Sequence, residues 1–298
     1  MKRILKIFIG LIGVIILVIF GLWVYFQGWK TSAEKTLPKN SIVFESSQGA
    51  IEYYTGGDIT NPVLVLHGTP GSVFVNMLFE EIFSDAGLSM VSVSRPGYYK
   101  TPLSSGKTLK EQSKLYKLLL DELGIESLFV FGISGGGPAA IQFAMDYPEQ
   151  CKGVILAAAV TQKLSLSGEG HFWNKLYSNE FVIWMATQGM AMSVKDKETR
   201  EGMKTYFKTG FFPFKFASKG YYNDNSTFED LELELTALEV PVLIIHGTMD
   251  DAVPMSFSEN AHRHIPNSTL MLIDGIGHFN VVHNEMAQKA LSEFVRKY

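Results

Sequence analysis

The chain has 298 residues, 46% of them apolar and 19% charged, with a formal net charge of −4. That composition excludes wholesale disorder and leaves no basic surplus to neutralise a nucleic-acid backbone. A single cysteine, Cys151, excludes an intramolecular disulfide and a cysteine-rich zinc site.

The N-terminal segment comes first and differs from the rest. Ile7 to Phe26 contains no charged residue, and as a helix of about 30 Å it matches a bilayer core. Apolar residues lie on every face, unlike an amphipathic helix packed on a soluble domain. Trp23, Tyr25 and Trp29 cluster at the far end, as interfacial aromatics do. Lys2, Arg3 and Lys6 precede the run, which predicts a cytoplasmic N-terminus and an extracytoplasmic remainder, although Lys30 and Lys35 flank the other side. The expected organisation is a short cytoplasmic stretch over 1–6, a transmembrane signal anchor over 7–26, a polar tether over 27–40 and one folded domain over 41–298. The alternative is secretion after cleavage at the small residues Thr31-Ser32-Ala33, but the run exceeds the ordinary length of a signal core.

Beyond the tether, Ile42–Phe44 and Ile51–Tyr54 predict an antiparallel hairpin. Short apolar runs then recur at Val63–Leu66, Met90–Val93, Leu128–Phe131, Gly153–Ala159, Val240–Ile245 and Thr269–Ile273. Continuous apolar runs suit strands buried on both faces, hence a parallel sheet. Helical stripes at Leu109–Leu123, Pro138–Tyr147 and Val281–Val295 lie between or after them, which predicts an α/β fold with helices on both faces. From about 161 to 235 the spacing is too long for one crossover, and the interval holds 14 of the 37 aromatic residues, Trp173 and Trp184 among them. A structureless loop of that size is improbable, so a helical cap is expected there.

Within this frame, Gly132-Ile133-Ser134-Gly135-Gly136 follows an apolar strand and runs into Pro138 and a helix. Glycines on both sides of the serine allow a sharp turn that lifts its hydroxyl to a helix N-terminus. A serine hydroxyl needs a base, and the base needs an orienting acid. Two more strand ends supply candidates: His246-Gly247-Thr248-Met249-Asp250-Asp251 and Asp274-Gly275-Ile276-Gly277-His278. His67 and His246 also end strands, and hydrogen bonding that holds loops is expected of them.

With these motifs the chain resembles the α/β-hydrolase superfamily over roughly residues 40–298. The resemblance implies an α/β-hydrolase fold: a mostly parallel sheet flanked by helices, with the helical cap inserted. It implies Ser134 as nucleophile, His278 as base and Asp250 as acid, three residues after the glycine of His-Gly, with Asp251 competing. It places one oxyanion donor after the nucleophile, at Gly135, and another in the loop His67-Gly68-Thr69-Pro70-Gly71. Pro70 has no N–H, which leaves Thr69, with Gly71 in reserve. Arg95-Pro96-Gly97-Tyr98 resembles the superfamily's strand-4 turn, with Ser94 and Tyr99 departing from it.

The expected reaction is hydrolysis of a small-molecule carboxylic ester, with a lipid-like one suggested by the anchor beside a bilayer, and with no cofactor, metal or nucleic acid. The rivals are amide or C–C bond cleavage or a lyase reaction on the same triad, and a non-catalytic membrane-anchored binding protein.

Overall fold

A computed structural model describes residues 2–164, 179–193, 197–210 and 212–298. Trp173 and much of the expected cap's first part lie outside the described residues.

Helix α1 (Lys2–Thr36) opens the chain. It is long and apolar enough to cross a membrane, with mean hydropathy 3.0 and its most apolar stretch clear of the domain. Its last turns behave otherwise. Phe26 is buried among Ile183, Trp184, Phe212 and Phe214 of the cap, Ala33 is buried as well, and Lys30 forms an ion pair with Glu180. The tether expected over 27–40 is therefore helical as far as Thr36, because this stretch has a face to bury.

The domain is built on an eight-stranded sheet in the order β1-β2-β4-β3-β5-β6-β7-β8. The antiparallel hairpin β1 (Ile42–Ser46) and β2 (Gly49–Thr55) leads, and β2 pairs antiparallel with β4 (Ser89–Val93). β3 (Pro62–Leu66), β5 (Leu128–Ile133), β6 (Cys151–Ala157), β7 (Val242–Gly247) and β8 (Ser268–Ile273) run parallel with β4.

Alternation along each strand explains the unbroken apolar runs. The short helices α2 (Val73–Asn76) and α3 (Glu80–Asp85) lie between β3 and β4. Leu64, Leu66, Val130 and Ile244 face one core, under α4 (Leu109–Glu122) and α5 (Gly137–Asp146). Val63, Val65, Phe129, Phe131 and Ile245 face the other, with Phe83, Leu291 and Phe294. Thr108 and Glu111 form a reciprocal cap that starts α4.

Several strand ends differ from expectation by one or two residues, and two boundaries have a visible cause. Ala158 adopts φ 46°, which ends β6 before Ala159. The last helix begins at Glu285, not Val281, because the Asn284 side chain accepts from Met286 N and His278–Asn280 form a tighter turn.

The cap contributes α6 (Glu180–Ser193), α7 (Lys197–Gly210) and α8 (Ser218–Glu229). A helix over Met255–His264 follows β7, and Glu285–Lys297 closes the chain. Because β3 lies between β4 and β5, the chain reverses its winding direction at β3 and β5. The crevice above their C-terminal ends is where open α/β sheets hold ligands.

Candidate active site

Ser134 stands directly above β5 with φ 52°, a left-handed conformation that costs a non-glycine residue energy. The glycines around it are sterically required. A Cβ at Gly132 would sit 2.7 Å from Ala140 Cβ, and one at Gly136 only 2.2 Å from the Leu66 carbonyl oxygen. The turn thus fits only if both flanks lack side chains, and it leaves the serine half-buried at the start of a helix.

Asp250 and His278 come together from two different strand ends. His278 Nδ1 lies 2.7 Å from Asp250 Oδ2, with the carboxylate fully buried and the imidazole 8% exposed. Asp250 Oδ1 accepts from the backbone N–H of Ala252 (2.9 Å) and Val253 (2.8 Å). Burial alone would raise the pKa of Asp250, but hydrogen bonds from His246, His278 and the backbone hold it well below the usual carboxylate range. His246 Nε2 reaches Val253 O at 3.0 Å and Asp250 Oδ2 at 3.3 Å, while its Nδ1 meets Ser258 Oγ at 2.7 Å. Asp251 is exposed. Ser134 Oγ hydrogen-bonds to no described residue, but it borders the same cavity as His278.

On the other side of the serine, Thr69 and Gly135 are neighbours. A Cβ on Gly135 would lie 2.1 Å from Thr69 Oγ1. Neither residue's N–H takes part in backbone pairing among the described residues, so both remain free to donate.

Behind Thr69 is a buried polar network whose acid the sequence did not reveal. Arg95, 1% exposed, donates through Nε to His67 O (2.9 Å) and through Nη2 to Gly68 O (3.2 Å) and Thr69 Oγ1 (3.0 Å). It pairs with both carboxylate oxygens of Asp224 on cap helix α8, at 2.9 and 2.5 Å. Asp224 also accepts from Tyr98 OH (2.6 Å) and Thr69 Oγ1 (2.5 Å). Burial opposes the charge on Arg95, yet Asp224 more than offsets it and keeps the guanidinium firmly protonated. The same burial, together with Asp224, pushes the Tyr98 hydroxyl well above its usual pKa. His67 accepts Arg95 N–H at Nε2 (2.9 Å) and contacts Gly68 O through Nδ1 (2.8 Å). Burial, with Arg95 beside it, lowers its pKa well below the ordinary value, so it stays neutral.

The cavity has a volume of about 620 Å³ and is lined by Ser134 and His278 with Phe79, Met203, Tyr206 and Phe279. Met203 and Tyr206 come from cap helix α7. Among the described residues, no group of three or more His, Cys, Asp or Glu is placed to hold a metal ion.

The family model for the alpha/beta hydrolase fold matches residues 61–285. The chain belongs to the α/β-hydrolase family. An uncharacterized hydrolase of Bacillus subtilis, YcgS, is 28% identical over 80% of this chain and 92% of its own. A 2-hydroxy-6-oxononadienedioate/2-hydroxy-6-oxononatrienedioate hydrolase of Burkholderia vietnamiensis is 24% identical over 86% of this chain and 94% of its own. The solved α/β-hydrolase fold protein of Nakamurella multipartita superposes with a TM-score of 0.70 at 27% identity, over 86% of this chain and 99% of that one.

In this hydrolase the Asp250–His278 pair expected from the sequence is close, and Ser134, Thr69 and Gly135 converge on the same crevice. Asp224 was missed. It lies 129 residues from Arg95, in the polar run Asn223-Asp224-Asn225, which reads as a solvated surface. The available signal was Arg95 itself, since a buried arginine requires a carboxylate or carbonyl partners.

Proposed function

We propose that the protein is a serine hydrolase that cleaves carboxylic esters through an acyl-enzyme, held at a membrane by α1 with its catalytic domain outside the cytoplasm. Ser134 Oγ attacks the acyl carbon and its proton passes to His278 Nε2. Asp250 accepts the Nδ1–H of that imidazole, which fixes the tautomer and stabilises the imidazolium. The tetrahedral oxyanion takes hydrogen bonds from the N–H groups of Thr69 and Gly135, one such donor being worth about 3–4 kcal/mol in the transition state. His278 then protonates the departing alcohol, and water deacylates Ser134 by the same steps in reverse.

The observation that carries this reading is the 2.7 Å contact between His278 and the fully buried carboxylate of Asp250, set across a cavity from a serine at φ 52°. The apolar lining suits an acyl or alkyl group. Retention of α1 is supported by its docked end, since Ala33 of the possible cleavage site is buried in a helix.

A second reading, C–C bond cleavage on the same residues, is favoured by the likeness to the Burkholderia hydrolase. Its substrates as named are dicarboxylates, whereas none of the described residues lining the cavity here is a lysine or arginine that could pair with two carboxylates. Turnover of p-nitrophenyl esters, matching anilides and a vinylogous diketone by the full chain in detergent separates the two. The ester reading expects the esters to be cleaved fastest. Preferential diketone cleavage would replace it with the second reading.

A further inference from the structure

The end of α1 shows which way the cap faces. Lys30 pairs with Glu180 at the start of α6. One turn nearer the apolar span, Phe26 packs at a tilt against Phe181 and Trp184 at 5.6 Å each, and Trp184 also lies 5.9 Å from Tyr25 and 6.2 Å from Trp29. Moving along α6 from Glu180 to Trp184 therefore means moving along α1 from Lys30 towards its apolar run. The remainder of α6 continues in that direction. From Trp184 to Met192 it advances about 12 Å, at about 1.5 Å per residue.

That remainder has the composition of a buried element and the exposure of a surface one. Residues 181–194 contain no charge. Thr187 and Ala191 face inwards, 3% and 1% exposed, while Met185 and Met192 are 40% and 84% exposed. With Gly189 they form an uncharged stripe at i, i+4 and i+7, on one side of the helix. The segment that follows is cationic in an otherwise acidic domain: residues 195–219 hold seven basic and three acidic side chains. An apolar helical face followed in sequence by six lysines and one arginine matches the pattern of a helix lying in the headgroup region of an anionic bilayer.

We propose that α6 is such an interfacial helix, seated through Met185 and Met192 in the leaflet where α1 emerges. The cavity walled by α7 then receives its substrate from that leaflet, as a membrane-dissolved long-chain acyl ester. This rests on the reading of an anchored ester hydrolase. α6 leads directly to α7, whose Gly202, Met203 and Tyr206 line the cavity, so the stripe and the binding wall belong to one helical pair.

The test uses the full chain in phosphatidylcholine–phosphatidylglycerol nanodiscs. Nitroxides are attached through Met185→Cys and Met192→Cys on a Cys151→Ser background, with Val14→Cys reporting α1 and Lys289→Cys an exposed site on the far helix. Positions 185 and 192 should resemble position 14, reached by oxygen more than by a water-soluble nickel chelate, with position 289 the reverse. If 185 and 192 match 289 while 14 stays in lipid, the interfacial helix is wrong and the anchor stands. If 14 is also in water, both fall. Spin–spin broadening between copies at 192 would mean that a second chain covers the stripe, which also overturns the proposal.

For the substrate, Met185→Asp with Met192→Asp should lower hydrolysis of a long-chain monoacylglycerol in the nanodisc by about tenfold or more. Hydrolysis of dissolved p-nitrophenyl butyrate should stay within about twofold. Equal retention or equal loss of both activities contradicts delivery from the leaflet. If the unsubstituted chain cleaves neither ester, the ester reading itself has failed, and the nitroxide depths still decide the placement of α6.

Discussion

Strands β3 and β7 end in the same dipeptide, His67-Gly68 and His246-Gly247, and both histidines are fully buried. Their surroundings have opposite charge. His67 sits against the guanidinium of Arg95, behind the loop that presents Thr69. His246 sits against the carboxylate of Asp250, behind His278. On the proposed mechanism, the β3 end lies beside the place where negative charge develops on the substrate oxygen, and the β7 end beside the place where positive charge develops on the imidazole. One sequence motif thus supports two electrostatic roles, and the partner, not the histidine, decides which.

The largest expected effect lies at the β7 end. Asp250→Asn should lower kcat by roughly 10³–10⁴ with the fold retained, because the amide favours the wrong imidazole tautomer. Asp251→Asn should leave turnover within about twofold, as expected of an exposed surface position. Ester kinetics on the two variants check this, and the reverse ranking would move the acid role to Asp251.

At the β3 end the expected loss is of stability as much as rate. Asp224→Ala strands a buried guanidinium, which costs about 3–5 kcal/mol. It also frees the Thr69 hydroxyl from its acceptor and unties α8 from the sheet. Thermal unfolding should show the destabilisation, and kcat should fall more than KM rises if Thr69 serves the transition state. A variant with unchanged melting would show that the network does not hold the cap.

The smallest effect is a pH dependence. His67 is neutral when folded, with its pKa lowered by burial and by Arg95. The unfolded chain binds a proton there below about pH 6.5, so stability falls as the pH drops through that value, by up to about 1.4 kcal/mol per unit. Asp250 adds nothing to this slope near neutrality. Its lowered pKa makes its contribution fully present above the ordinary carboxylate range near pH 4 and lost only below it. Melting temperatures from pH 7.5 to 5 test the sign, and a flat profile would mean that His67 is protonated in the fold.

Much of the arrangement at the ends of β7 and β5 was legible in the sequence because it is local. Ser134 needs glycines two residues away on each side, and Asp250 follows its strand by three residues, so short-range spacing carries the information. The supporting layer at Arg95 and Asp224 was not legible, since it joins the strand-4 turn to a cap helix across 129 residues. The end of α1 was misread as a tether for a related reason. Lys30, Glu34 and Lys35 look like a solvated stretch until Phe26 and Trp29 find the cap surface they pack on and Lys30 its partner Glu180. The paired apolar runs of the sheet were readable to within a residue or two. The start of the last helix was not, because Asn284 sets it through a side-chain bond that hydrophobic periodicity does not register.

Covalent capture reports on the nucleophile itself. Incubating the full chain with a fluorophosphonate and mapping the adduct by peptide mass spectrometry should place one phosphonyl group on Ser134, and His278→Ala should slow the labelling by several orders of magnitude. An unlabelled Ser134 in folded protein, or a labelling rate that ignores His278, would contradict the account.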